Sequence, residues 1–381
     1  MPWRYRSVEE LRKEFVLAAK QCSNFSALCR EYNITRKTGM KWCERYANNE
    51  PLSDRSRKPY SISNKTAPEI EQLIVTERIN NPGWGAKTIR QVLENRGHTE
   101  LPCVKTVNNI LNRYNLISEE ESLKHQPYKR FERDKCNSMW QTDFKGEFKT
   151  ADGLYCYPLD IIDDCSRFLI NITAHTNTQN VVISTFKAAF EEYGMPRSVL
   201  SDNGAQFAGF RHGYTRFEKW LMDHDVLPIH GRIKHPQTQG KIERFHRTMK
   251  SELLNHNTFA NCEEAHKALN EWRIKYNTVR PHQALNMKCP ADIYVPSTRK
   301  YTDIVAPFDY SGTNHIIKVN SWGYVRFDKW QIYLSETFIG EHIEFRANPL
   351  GESFFACYRN FKIAEFSTED GKLIHRKISR I

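Results

Sequence analysis

No run of 18 apolar residues occurs in this chain of 381, which excludes a transmembrane helix. The opening residues, Met1-Pro2-Trp3-Arg4-Tyr5-Arg6, lack the apolar stretch of a secretory signal, so the expected location is the cytoplasm. Ten cysteines are present, but no two are spaced C-x-x-C. They read as reduced core thiols of a cytosolic protein, not as a disulfide framework. There is no P-loop, so ATP is not implied, and no Ser/His/Asp or Cys/His nucleophile arrangement can be picked out. Phosphate chemistry by nucleotide cradle and acyl transfer by activated nucleophile are therefore not the starting points.

What the chain does have is positive charge, unevenly placed. The net charge is +11. Residues 1–135 carry 25 lysines and arginines against 17 acids, whereas residues 301–381 balance at ten of each. A basic amino-terminal third suits a polyanionic partner, although a basic surface also serves solubility alone. Within it, residues 7–20 read as an amphipathic helix with Leu11, Phe15 and Leu17 inward, followed by a helix over 25–32. After the turn Asn33-Ile34-Thr35, with Thr35 a candidate N-cap, a third helix begins at Arg36. This is a helix-turn-helix pattern over residues 1–50, with Arg36, Lys37 and Lys41 placed to reach phosphates or base edges. A plain three-helix bundle with a solvated basic face gives the same pattern.

Residues 51–66 mix proline, serine and basic side chains, among them Arg55, Arg57 and Lys58, and read as a basic linker along DNA. Helices at 68–79, 84–93 and 104–114 then suggest a second helix-turn-helix over 67–117. Val104, Val107, Ile110 and Leu111 face inward, while Lys105 and Asn109 stay outside, with Lys87 a further DNA contact. Residues 118–135 form a charged connector.

Three carboxylates stand in recognisable settings: Asp143 in Trp140-Gln141-Thr142-Asp143-Phe144, Asp202 in Ser201-Asp202-Asn203-Gly204, and Glu243 in Gly240-Lys241-Ile242-Glu243-Arg244-Phe245-His246. Remote acids that converge in a fold are a usual way to hold Mg²⁺ or Mn²⁺, and two such ions clamp the oxygens of a phosphodiester. Strands expected at 139–148, 153–163 and 167–175, a helix at 178–193 and a strand at 197–201 give a βββαβ order. That order implies a ribonuclease-H-like α/β core over 136–300. From Gly240 a helix follows, with Ile242, Phe245, Met249 and Leu253 on one face and Glu243, Arg247 and Lys250 on another. Lys241, Arg247 and Lys250 are candidate DNA contacts, though Glu243 and Arg247 could also form a surface pair. Asp160, Asp163 and Asp164 are rival acids, although Asp163-Asp164-Cys165-Ser166 is also good turn chemistry. His230 and His235 flank the loop before Glu243, where contact with phosphate or water competes with core or solvent-facing roles. A further helix is expected over 262–279. Short alternating runs over 310–381 read as a small β-barrel, of the SH3-like kind.

These motifs resemble the D-D-E catalytic core of transposases and retroviral-type integrases, and most closely the insertion-sequence transposases related to the IS481 and IS3 groups. The run from His235 to His246 is very close to H-P-x-T-x-G-x-x-E-R-x-x, and Arg280-Pro281-His282-Gln283-Ala284-Leu285 matches a segment that follows the core. The resemblance extends over most of the chain, without the zinc-binding module that heads retroviral integrases. It implies that Asp143, Asp202 and Glu243 are the catalytic and metal-binding residues, holding two Mg²⁺ or Mn²⁺ ions. It further implies double-stranded DNA as partner, at least a dimer on DNA, and end cleavage with strand transfer at terminal inverted repeats. The chain would then be nucleoid-associated when on DNA. One departure stands out: 40 residues separate Asp202 from Glu243, a few more than usual. The extra length is assigned to the loop Gly209–Tyr214. A domesticated DNA-binding regulator and a plain ribonuclease-H-like nuclease are the alternative readings.

Overall fold

The computed structural model describes residues 7–55, 66–117, 133–209, 213–231, 240–310, 315–348 and 351–381. It divides into two compact units, residues 1–65 and 66–381.

In the first unit, α1 (Val8–Ala19), α2 (Phe25–Glu31) and α3 (Arg36–Ala47) surround Phe15, Val16, Cys29 and Trp42. Ser7 and Glu10 close a capping box at the start of α1, and Thr35 Oγ1 accepts from the Thr38 amide to cap α3. The buried stripe of α1 runs through Phe15 and Val16. Leu11 and Leu17, expected inward, are 41% and 46% exposed. The core that α1 shares with α2 and α3 takes in only its Phe15–Val16 side, so its other large apolar residues stay uncovered. At Gly39 a Cβ would come within 2.8 Å of the Phe15 ring and 2.9 Å of Cys29 Sγ. That close approach explains glycine inside a helix, where it is otherwise unfavourable. The segment expected to begin a linker is folded at its start. Leu52 packs against this core, and its carbonyl accepts from Arg12, whose guanidinium also lies 3.9 Å above the Trp42 ring.

The second unit opens with three more helices, α4 (Pro68–Asn80), α5 (Ala86–Asn95) and α6 (Val104–Arg113), around Ile74, Ile89, Leu93, Val107, Ile110 and Leu111. Trp84, expected within α5, lies just ahead of it and is wholly buried in the same core. Two buried acids in α4 have partners: Glu71 meets Arg113 and Glu77 meets Arg96.

Next comes a mixed sheet built from β1 (Trp140–Phe144), β2 (Phe148–Lys149), β3 (Tyr155–Asp163), β4 (Leu169–His175), β5 (Ser198–Ser201) and β6 (Leu227–His230). β3 pairs antiparallel with β1, β2 and β4, while β1, β5 and β6 run parallel. The expected strand over 139–148 is split into β1 and β2, with Gly146 between them at φ 88°. Alternation along β3 divides the two cores. Leu159 and Ile161 join Trp140 under α7 (Val182–Tyr193) and α8 (Arg216–Asp223). Ile162 faces the opposite layer, α9 (Gly240–Glu252) and α10 (Cys262–Thr278), with Phe245, Met249, Leu269 and Trp272. The sequence reading did not identify α8 and β6. Both are short, with only four residues in β6.

The carboxy-terminal part contains a five-stranded antiparallel sheet in the order β13-β12-β11-β10-β7 and a separate hairpin, β8–β9. Its strands are β7 (Ile316–Lys318), β8 (Tyr324–Phe327), β9 (Trp330–Tyr333), β10 (His342–Ala347), β11 (Ser353–Tyr358), β12 (Phe361–Ser367) and β13 (Leu373–Arg380). The last two were not expected.

This sheet shares a core with the mixed sheet's outer edge, through Tyr214, Met222 and Leu227. The Tyr214 hydroxyl donates to the Ile363 carbonyl at 2.6 Å, and Lys219 bridges Asp223 and Glu341 at 2.9 Å each. At Gly213, with φ 105°, a Cβ would stand 2.3 Å from Ser335 Oγ. The loop assigned the extra length therefore helps seat the carboxy-terminal sheet, at Gly213 and Tyr214; residues 210–212 lie outside those described. Tyr214→Ala is expected to cost about 3–5 kcal/mol, the usual range for emptying a buried aromatic site. Tyr214→Phe should cost about 1–2 kcal/mol for the orphaned carbonyl. Urea unfolding followed by tryptophan fluorescence reads both, and an unchanged midpoint for Tyr214→Ala would disprove the seating role.

Candidate active site

Asp143 lies near the end of β1, and the strand pairing decides its neighbours. Antiparallel register sets Asp143 directly opposite Asp160 of β3. Parallel register pairs Gln141 with Leu200 of β5. Continued by two residues, it leads to Asp202 just beyond that strand. Asp202 is fixed by its own turn, Oδ1 accepting from the Gly204 amide at 2.9 Å.

The consequence is electrostatic crowding. Burial, then the charge of Asp160 and to a smaller extent that of Asp202, push the Asp143 carboxyl up to about 7, against a partial offset from His246. Asp160 is wholly buried in the middle of the sheet. Its Oδ1 accepts from His246 Nε2 of α9 at 2.8 Å, and its Oδ2 has no hydrogen-bond partner. Burial raises the Asp160 pKa against the favourable pull of His246 and Lys145. Burial also opposes the charged imidazole of His246, but the charge and hydrogen bond of Asp160 together with the charge of Asp143 outweigh it, and the His246 pKa is raised.

Glu243 occupies the first turn of α9, exposed, while Ile242, Phe245 and Met249 anchor the opposite face of that helix. Among the described residues no three His, Cys, Asp or Glu side chains stand close enough to hold a metal ion. The structure thus draws Asp143 toward Asp202 and Asp160 but does not bring Glu243 into a cage with them. The motif residues His235 to Gln239, which lead into α9, lie outside the described residues. The donor set still suits a divalent ion. All three acids offer oxygen to a hard cation, and a carboxyl raised to about 7 by burial first and then by Asp160 and Asp202 marks negative charge that a cation would offset.

The rival acids have other partners. Asp163 accepts from the Asn137 amide and from both the amide and hydroxyl of Ser166, closing the turn after β3. Asp164 accepts from the Arg133 amide and Gln141 Nε2 and pairs with Lys241 Nζ at 2.7 Å. Lys241, one of the expected DNA contacts, is paired with that carboxylate and largely buried. His230 of β6 bridges Ser201 of β5 and Glu218 of α8, at 3.1 and 2.8 Å, so it ties the two strands to that helix.

Of the other expected DNA contacts, Arg36, Lys37, Lys41, Lys87, Lys105, Asn109, Arg247 and Lys250 are exposed. Lys41 leans over the Trp42 ring, and Arg55 pairs with Glu50. Arg57 and Lys58 lie outside the described residues. The sequence reading missed the Asp160–His246 pair. Its signal was present: Asp160 shares a strand face with Ile162, and His246 follows Glu243 by three residues on a helix.

The mixed sheet thus sets two crowded carboxylates at neighbouring strand ends. Two family profiles, each described as "Integrase core domain", match residues 133–236 and 224–290. An uncharacterized 39.2 kDa protein of insertion element IS476 from Xanthomonas euvesicatoria is 26% identical over 175 residues, 45% of this chain and 49% of that protein. The transposase for insertion sequence element IS904 from Lactococcus lactis is 23% identical over 248 residues, 59% of this chain and 94% of that protein. The chain spans about half the length of the first curated relatives it matches, 49% and 60%. Among solved structures, the HTLV-2 integrase catalytic core domain in complex with magnesium is 19% identical, with TM-score 0.33, covering 42% of this chain and 96% of that one. Residues 133–290 thus match the integrase core domain, and parts of the chain are similar to proteins of insertion elements. Among the described residues no helix is long and apolar enough to cross a membrane.

Proposed function

We propose that this protein is a DNA transposase that binds the terminal inverted repeats of its own element, cleaves their 3′ ends and joins them to target DNA. The observation that carries this reading is the crowding of Asp143 by Asp160 and Asp202, beside the helix that bears Glu243. Asp143, Asp202 and Glu243 would hold two Mg²⁺ or Mn²⁺ ions. Bound ions supply Lewis-acid charge to the attacking and leaving oxygens of a phosphodiester. The chain's own part is to hold three acids on separate elements and to aim Arg247 and Lys250 from the same helix at backbone phosphates.

The two amino-terminal helical sets act as helix-turn-helix units that read the element ends, with Arg36, Lys37, Lys41, Lys87, Lys105 and Asn109 toward DNA. The carboxy-terminal sheets serve as an SH3-like domain. Pairing of two ends makes at least a dimer the active form on DNA, in the cytoplasm and at the nucleoid.

The test uses the full chain with duplexes of its element's ends, identified as inverted repeats flanking the gene. Mg²⁺ and Mn²⁺ should support joining, and excess EDTA should stop it while binding persists. Terminal duplex should outcompete a scrambled one, and affinity for both should fall steeply with salt, by roughly 0.9 log units per log salt for each phosphate neutralised. Undiminished joining in EDTA, or equal affinity for both duplexes, overturns the reading.

A further inference from the structure

Asp160 is an unusual residue for its position. It sits on a central strand, with Asp143 opposite on one side and Ile172 on the other. The layer above it, Ile162, Phe245 and Met249, is otherwise apolar. A carboxylate there loses its water and recovers one hydrogen bond, since only Oδ1 is partnered. A valine would fill the place at lower cost, so the fold itself does not call for an acid.

What the acid provides is a fixed point for α9. The bond from His246 Nε2 to Asp160 Oδ1, 2.8 Å long, is a polar tie between that helix and β3 within this layer. It is made one residue across from Asp143, and His246 lies three residues beyond Glu243, one turn of the same helix. Apolar packing by Ile242, Phe245 and Met249 holds α9 against the sheet, but packing alone tolerates small slides and rotations. A hydrogen bond is directional and does not.

We propose that Asp160 and His246 are a positioning pair, whose hydrogen bond sets the first turn of α9, and with it Glu243, against Asp143. The pair touches neither DNA nor ions; it acts through the two acids. The inference rests on the transposase reading above and adds to the acid trio two residues the motifs do not supply.

The experiment compares full-length wild type with Asp160→Val/His246→Phe, which removes the tie and leaves apolar groups to fill its place. Replacing a buried ion pair by apolar side chains is often neutral or stabilising. The double variant should therefore melt no lower than wild type in metal-free buffer and bind terminal duplex equally well. Its Mn²⁺ affinity, read by electron paramagnetic resonance titration without DNA, should fall about 10- to 100-fold, the usual loss when a group that orients metal ligands is removed. Strand transfer should fall through kcat, with KM for the duplex unchanged. His246→Gln, which keeps a donor on α9, should recover part of both losses, and it serves as the test if the double variant does not fold. Wild-type Mn²⁺ affinity and joining in a folded double variant, or no difference between His246→Gln and His246→Ala, overturns the positioning role alone. A wild-type chain that binds no Mn²⁺ and joins no DNA overturns the transposase reading and this inference with it.

Discussion

Asp143→Asn, Asp202→Asn and Glu243→Gln are each expected to lower strand transfer by about a thousandfold or more while leaving terminal-duplex affinity unchanged. Each exchange keeps the shape of the side chain and removes one negative donor. Ions at such a site contribute several kcal/mol of charge stabilisation, and about 4 kcal/mol is a factor of a thousand in rate. Binding should persist because the helices at residues 8–47 and 68–113 lie far along the chain from these acids and have cores of their own. The measurement is joining of labelled terminal duplex in Mg²⁺, beside a gel-shift titration of the same duplex. Glu243→Gln is the most telling of the three, since Glu243 is exposed and stands apart from the two aspartates. Near wild-type joining by that variant would show that another acid completes the site. Asp160 would then be the first to test, because Asp163 and Asp164 are occupied by Ser166, Asn137, Gln141 and Lys241.

Period and punctuation made much of this architecture legible. The apolar spacing of Val107, Ile110 and Leu111 marks a helix with one buried face, and all three are buried. Alternation and turn residues marked β1, β3, β4 and β5. The motif around Glu243 included the buried face of α9. Less legible was whatever depends on how elements meet. Leu11 and Leu17 are apolar at helical spacing, but whether they are covered depends on which side of α1 the neighbouring helices pack against. Lys241 reads as a free cation until β3 ends with Asp164 beside it. Asp160 looked like one more acid near a turn, and only the β1–β3 register shows that it opposes Asp143. The joint at Tyr214 was closed to sequence reasoning for a similar reason. Its partners Ser335 and Ile363 are more than a hundred residues away, and no local pattern announces them.

The same crowding predicts a gain in stability where activity is lost. In the folded chain the Asp143 carboxyl is raised to about 7 from its ordinary 3.8, by burial first and then by Asp160 and Asp202. A group whose folded pKa is raised holds its proton more tightly in the native state. Its stabilising effect is complete below about 3.8 and is lost as pH rises through about 7. Above that, the ionised Asp143 costs the fold a few kcal/mol, at about 1.4 kcal/mol for each pH unit between the two values. Asp143→Asn carries no such charge at any pH. In EDTA at pH 8 the variant should therefore melt several degrees above wild type, and at pH 3.5 the two should melt together. A cation that offsets the crowding should close the gap from the other side: Mg²⁺ should raise the wild-type melting temperature at pH 8 and leave the variant nearly unmoved. Differential scanning calorimetry at the two pH values, with EDTA and with Mg²⁺, measures all four quantities. If Asp143→Asn melts below wild type at pH 8 in EDTA, the Asp143 charge is stabilised in the native fold by groups other than those named here, and the crowded-acid description of the site fails.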